Sequence, residues 1–127
     1  MYNYFKKCLE LEAIAISECA KKLQDVHVEK VLNLIQSCYC QKGKLIVTGV
    51  GKSGIVARKI AATFSSVGLT SIYLNPLDAL HGDIGVVSKG DICLFISNSG
   101  ETQELLQLIP HFQKREINLI SIIGRSN

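Results

Sequence analysis

Lys44–Gly54 reads Lys-Leu-Ile-Val-Thr-Gly-Val-Gly-Lys-Ser-Gly, with glycines at 49, 51 and 54 around Lys52 and Ser53. Glycines at that spacing let backbone N–H groups approach an anion, and Lys52 adds a full positive charge at the same place. A second polar cluster, Ser97-Asn-Ser-Gly-Glu-Thr102, follows an apolar run and opens a helical pattern. One hydroxyl would suffice for an ordinary helix cap. Ser97, Ser99 and Thr102 together, with Asn98 and Gly100 among them, point instead to a phosphate held at a helix start. Glu101 and Glu104 lie one turn apart at the beginning of that helix. Either stabilises the N-terminus by its charge, and a carboxylate beside a phosphosugar can also act as a general base. His81, in His81-Gly-Asp, is the third titratable candidate, whereas His27 and His111 lie on helices without partners and read as surface residues.

These groups need elements to bring them together. Leu45–Thr48 is an apolar, β-rich first strand, and 53–67 is a helix with Val56, Ile60, Phe64 and Val67 inward, ended by Gly68. Thr70–Leu74 is the second strand, 75–85 a loop, and Asp91–Ile96 a third strand apolar enough to be buried on both faces. After the Ser97–Glu101 turn a helix runs to Lys114, with Pro110 expected to kink or shorten it, and Ile117–Ile123 is a fourth apolar strand. Strands alternating with helices predict an α/β fold, a three-layer sandwich with a parallel sheet and right-handed crossovers. The glycine turn, the His81 loop and the serine turn then emerge at one sheet edge. Two helices precede the sheet within residues 1–42. The first, 4–23, carries the stripe Leu9, Ala13, Ile16, Ala20 and Leu23; the second, capped by Asp25, carries Val28, Val31, Leu32, Ile35 and Cys38 and stops at Gly43. Their expected role is to cover the sheet or a partner subunit. One domain accounts for 1–127. Because a fourth strand normally leads into another helix, Gly124-Arg-Ser-Asn127 is expected to continue into a longer chain.

A net charge of +3 over 127 residues gives no basis for nucleic-acid binding, and no apolar run has the length of a membrane span. Glu10 and Glu12 stand where a signal peptide would need its apolar stretch, so the expected location is cytoplasmic. Five cysteines, Cys8, Cys19, Cys38, Cys40 and Cys93, are odd in number and irregular in spacing. Reduced thiols are expected rather than a disulfide framework or a metal site, with Cys93 in the core. The glycines also fit G-x-G-x-x-G, but the second strand ends Leu74-Asn75-Pro76 without the acidic residue that holds a ribose. A Walker loop would need glycine where Ile46 stands. No cofactor is expected.

Taken in order, Thr48-Gly-Val-Gly-Lys-Ser-Gly54, His81-Gly-Asp-Ile-Gly85 and Ser97-Asn-Ser-Gly-Glu-Thr102 resemble the sugar isomerase (SIS) domain. Within it they look like the arabinose 5-phosphate isomerases of Gram-negative bacteria, from about residue 5 to the end. The resemblance implies a flavodoxin-like, five-stranded parallel sheet between helices and a homotetramer. It implies interconversion of D-arabinose 5-phosphate and D-ribulose 5-phosphate, feeding synthesis of the lipopolysaccharide sugar Kdo. The family lysine matches Lys52, the functional glutamate Glu104 with Glu101 nearby, and the loop histidine His81. Gly51, Ser53, Gly68, Leu69, Asn75 and the residues Ser97, Asn98, Ser99, Gly100, Glu101 and Thr102 match substrate-contacting positions. Such an exchange moves a proton between C1 and C2 through an enediol, which needs a base, an electrophile for the oxyanion and a grip on the phosphate. Glu104 is the candidate base, Lys52 the electrophile or phosphate ligand, and His81 an aid to ring opening. Asn75 stands where relatives can carry a zinc-binding histidine, so no metal is expected. The second half of the domain, with a further glutamate and histidine, and the tandem CBS domains are missing, so this chain is expected to be a poor isomerase alone. The rival reading is a non-catalytic sugar-phosphate sensor, which would keep the phosphate turn without needing Lys52 or a base.

Overall fold

The computed structural model describes residues 1–124; Arg125, Ser126 and Asn127, the end of the expected continuation, lie outside the described residues. The chain divides into two compact units, Met1–Leu32 and Asn33–Asn127.

In the first unit, α1 spans Tyr2–Lys22 and α2, Asp25–Cys40, begins. The amide groups of His27 and Val28 bond the Gln24 carbonyl, so Asp25 opens the helix rather than capping it. No residue of α1 is buried, and Leu9, Ile16 and Leu23 of the predicted stripe are exposed, as are Tyr2 and Phe5. The stripe is present as a pattern.

The second unit holds the rest of α2 and the sheet. β1 is Leu45–Gly49, α3 Lys52–Ser66, β2 Ser71–Tyr73, α4 Pro76–Leu80, β3 Ile92–Ser97, α5 Gln103–Lys114 and β4 Asn118–Ile123, with a 3-10 turn at Asp83–Val86. All pairings among the described residues are parallel and the order is β2-β1-β3-β4. The register sets Leu45 opposite Ser71 and Ile92, and Ile92 opposite Asn118. Alternation then sorts the strands' side chains to two faces. Ile46, Cys93 and Phe95 join Leu105, Leu108 and Phe112 on the α5 side, where the Phe95 and Phe112 rings meet edge to face at 5.6 Å. Leu45, Val47, Leu94 and Ile96 join Ala57, Ala61 and Cys38 on the other. Two buried faces on one sheet make the predicted three layers, and the described residues supply four of the five strands that the resemblance implied.

Three details correct the sequence reading. The buried side of α3 is Gly54, Ala57 and Ala61, flanked by the half-buried Ile60 and Phe64, because small residues let the helix approach β1 closely. Val56 is half exposed and Val67, which is the C-cap rather than a helical residue, is 74% exposed. The 75–85 loop contains α4: Asn75 caps it by accepting from the N–H groups of Leu77 and Asp78, and Pro76 fits the first helical position, where no N–H is missed. Helix α5 runs through Pro110 to Lys114. β4, read as an apolar strand, is exposed at Asn118 and from Ser121 to Ile123.

At the sheet's N-terminal edge the buried Asp91 carboxylate accepts from Lys44 N at 2.9 Å, Lys44 Nζ at 2.6 Å and Ser88 N at 2.7 Å, tying the starts of β1 and β3 together. All five cysteines are free. Burial pushes the Cys93 thiol far above its ordinary value, and burial followed by the Asp91 charge raises that of Cys38.

Candidate functional site

Because the four strands are parallel, every β-to-α turn opens at the same edge. The first is built by glycines. Gly49 ends β1 fully packed, and a side chain there would meet the Ser53 carbonyl at 2.9 Å. Gly51 has φ +59 and ψ −125, a conformation that L side chains rarely adopt, and it is the N-cap of α3. No side chain caps that helix. Lys52, its first residue, is exposed and has no ion-pair partner among the described residues. Ser53 is half-buried behind it.

The serine turn follows β3. Ser97 Oγ accepts from Gly100 N at 3.0 Å and shares a hydrogen with Thr102 Oγ1 at 2.9 Å; Ser99 Oγ accepts from Glu101 N at 3.1 Å. The hydroxyl oxygens thus hold the turn's own shape. Thr102, the N-cap of α5, spends its hydroxyl on Ser97 and makes no cap bond. The first N–H groups of α5 therefore receive no bond from their N-cap side chain. One hydroxyl hydrogen remains from the Ser97–Thr102 pair and one from Ser99. Asn98, Ser99 and Glu101 are exposed, and Gly100 is half-buried.

Two clefts meet these turns. A small one of about 100 Å³ is lined by Gly49, Val50, Gly51, Tyr73, Asn75, Pro76, Leu77 and Glu104. It brings together three of the predicted site residues, Gly51, Asn75 and Glu104, from the ends of β1 and β2 and the start of α5. Most ligand pockets measure roughly 300–1,000 Å³, so this cleft has room for one end of a sugar phosphate. Ser97, Gly100 and Thr102 instead border a mainly apolar groove of about 220 Å³ between α5 and β4. His81 caps the C-terminal end of α4 with its side chain exposed, on the same sheet edge but in neither cleft.

Gly68 and Leu69 do not join this edge. They precede β2, at the opposite end of the sheet, beside Tyr39, Cys40, Lys42 and Gly43, and Leu69 is core. In the other direction, sequence reasoning passed over Thr48 and Tyr73. Thr48 is fully buried and its Oγ1 donates to the Leu74 carbonyl at 2.8 Å; Tyr73 Oη donates to the Gly49 carbonyl at 3.0 Å. Only the β1–β2 register, which faces Val47 with Tyr73, brings these partners together. Among the described residues no group of three or more His, Cys, Asp or Glu could hold a metal ion, and no helix is long and apolar enough to cross a membrane.

A family model described as "SIS domain" matches residues 38–127. Arabinose 5-phosphate isomerase KpsF of Escherichia coli O6:H1 is 38% identical over 122 residues, covering 96% of this chain and 36% of its own length. Arabinose 5-phosphate isomerase KdsD of Shigella flexneri is 41% identical over 115 residues, covering 90% of this chain and 35% of its own length. The chain therefore spans about a third of these curated relatives. A solved structure of an E. coli CFT073 protein in complex with arabinose 5-phosphate superposes with a TM-score of 0.85 at 40% identity, covering 95% of this chain and 62% of that one.

Proposed function

The chain belongs to the SIS domain family, and from that premise we propose that it serves aldose–ketose isomerisation of a sugar phosphate, D-arabinose 5-phosphate to and from D-ribulose 5-phosphate. The observation that carries the reading is the cleft that Glu104 lines together with Gly49–Gly51 of the glycine turn and Asn75. A carboxylate set against open helix-start amides is what proton transfer beside a bound anion requires. Glu104 would take the C1 or C2 proton. Lys52, at the mouth of the same turn, would stabilise the enediolate oxygen or hold phosphate, and His81 would assist ring opening. The turn from Ser97 to Thr102 would receive the phosphate on its spare hydroxyl hydrogens and the amides of α5. The names of the relatives and the solved complex with arabinose 5-phosphate support this choice of sugar. The Kdo route, a tetrameric assembly and a cytoplasmic location belong to the same proposal.

The test is to purify residues 1–127 and add arabinose 5-phosphate in D₂O. Ribulose 5-phosphate and deuterium uptake at the exchanging carbon would be followed by NMR. Saturable binding with slow turnover is expected. Glu104→Gln should lower turnover about 10²–10⁴-fold, as loss of a general base does. Lys52→Met should lower it about a hundredfold, as loss of an oxyanion donor does. Binding without any deuterium uptake would leave the non-catalytic sugar-phosphate module in its place, and absence of binding would sink both readings.

A further inference from the structure

The backbone ladder between β1 and β2 stops at Val47 and Tyr73, with a last bond from Leu74 N to Val47 O at 2.9 Å. Beyond that point two hydroxyls continue it in opposite directions. Thr48 Oγ1 donates to Leu74 O, and Tyr73 Oη donates to Gly49 O. The first bond holds the strand leading to Asn75. The second holds the strand leading to Gly51 and Lys52.

The Tyr73 hydroxyl reaches its carbonyl because α3 gives way there. A side chain on Gly54 would stand 2.8 Å from Gly49 O and 3.1 Å from Tyr73 Oη, in the space that bond crosses. The ring is held from the other side by Arg58, whose guanidinium carbon lies 4.1 Å from the ring centroid, a cation–π contact. Gly49 is also anchored by its register with Ile96 of β3, but the start of α3 beyond it has less support. The first bond of α3, Gly54 N to Val50 O at 3.4 Å, is long, the second, Ile55 N to Gly51 O, is at 3.2 Å, and the N-cap makes no side-chain bond to the helix. Tyr73 also lines the small cleft, which Glu104 of α5 borders as well.

We propose that Tyr73 is a positioning residue for the site: its hydroxyl, with Arg58 fixing the ring, holds the Gly49–Lys52 turn so that the turn's amides and the Lys52 ammonium are already in place when a sugar phosphate arrives. The inference rests on the reading of this edge as the ligand site. In this role Tyr73 acts through the turn, so its effect falls on affinity through the order of the turn.

Tyr73→Phe keeps the ring and the Arg58 contact and removes only the bond to Gly49. Amide exchange by NMR on residues 1–127 reads the turn directly. In Tyr73→Phe the Gly54 and Ile55 amides should exchange about tenfold faster, the loss of one ordinary hydrogen bond, while Ile46 and Leu94 in the sheet keep their protection. The dissociation constant for arabinose 5-phosphate, by calorimetry, should rise about fivefold for the same reason. Arg58→Met should move both readouts in the same direction and less far. Unchanged exchange at Gly54 and Ile55 would overturn the proposal, and so would equal acceleration throughout the sheet, which would mark a general stability role. Faster exchange at the turn with unchanged affinity would overturn it too. If the unaltered chain binds no arabinose 5-phosphate, the isomerase reading falls, and the exchange comparison alone decides whether Tyr73 holds the turn.

Discussion

Ser97 and Ser99 look alike in the sequence and do different work in the fold. Ser97 is buried and its oxygen holds both Gly100 N and Thr102 Oγ1, whereas Ser99 is exposed and holds only the neighbouring Glu101 N. Ser97→Ala should therefore cost about 1–2 kcal/mol of stability and lower the urea midpoint, while Ser99→Ala leaves it within about 0.5 kcal/mol. Both should weaken phosphate binding, so a Ser99→Ala variant with full stability and full affinity would remove Ser99 from the phosphate's ligands. Cys93 gives a residue-scale pH prediction. Its thiol is raised in the folded state by burial, so the folded chain holds that proton more tightly than the unfolded one. The resulting stability is fully present below the ordinary thiol range, begins to fall as pH passes that range, and goes on falling up to the raised folded value. From about pH 8 to about pH 10 the unfolding free energy should fall less in Cys93→Ala than in the unaltered chain. Equal slopes in urea titrations at the two pH values would refute it.

Among the elements, β1, β3 and the turns after them were legible because their signals are local: apolar β-rich runs, then glycines or hydroxyls. The inward face of α3 was legible in part: Ile60 and Phe64 pack against the core, but Val56 and Val67 do not, and the tight approach to β1 went to Gly54, Ala57 and Ala61. Helix α4 was hidden by its brevity, although Asn75-Pro76 is a start signal once Asn75 is seen to accept from Leu77 N and Asp78 N. The Tyr73 and Thr48 bonds depend on strand register, which no local pattern states. Gly68 and Leu69 came only from resemblance, and the topology sets them at the far end of the sheet. Pro110 carries the prediction at this scale. Helix α5 continues past it, anchored by the buried Leu105, Leu108 and Phe112. The proline lacks a helical N–H and is exposed, so Pro110→Ala should stabilise the chain by about 1 kcal/mol or more. No rise in the urea midpoint would show that the surrounding turn already accommodates it.

At the scale of the whole sheet, its two outer strands among the described residues differ. β2 is three residues long, a short edge that offers little to another chain. β4 is six residues long, with Ile122 54% and Ile123 47% exposed beside the apolar groove against α5. Such an edge invites pairing. Residues 1–127 should associate with rising concentration in analytical ultracentrifugation, and Ile122→Lys should suppress that association while leaving the circular dichroism spectrum unchanged. A monomer at all concentrations would contradict the expectation.

The Asp91 clasp has a consequence for how the chain is made. Lys44 and Asp91 are 47 residues apart, and β1 pairs on its other side with β2 at Ser71–Tyr73. On the ribosome β1 can zip to β2 first, but its second edge stays bare until β3 and the buried aspartate have emerged. At about 5–20 residues per second, that leaves a window of about 2–10 s in which Leu45, Ile46 and Val47 are available to the wrong partner. Nascent chains stalled before Asp91 clears the exit tunnel should be cut readily by protease and bound by chaperones. Those stalled well after Ser97 should resist, because the three bonds to Asp91 then close the sheet behind the strand that all the others are measured against.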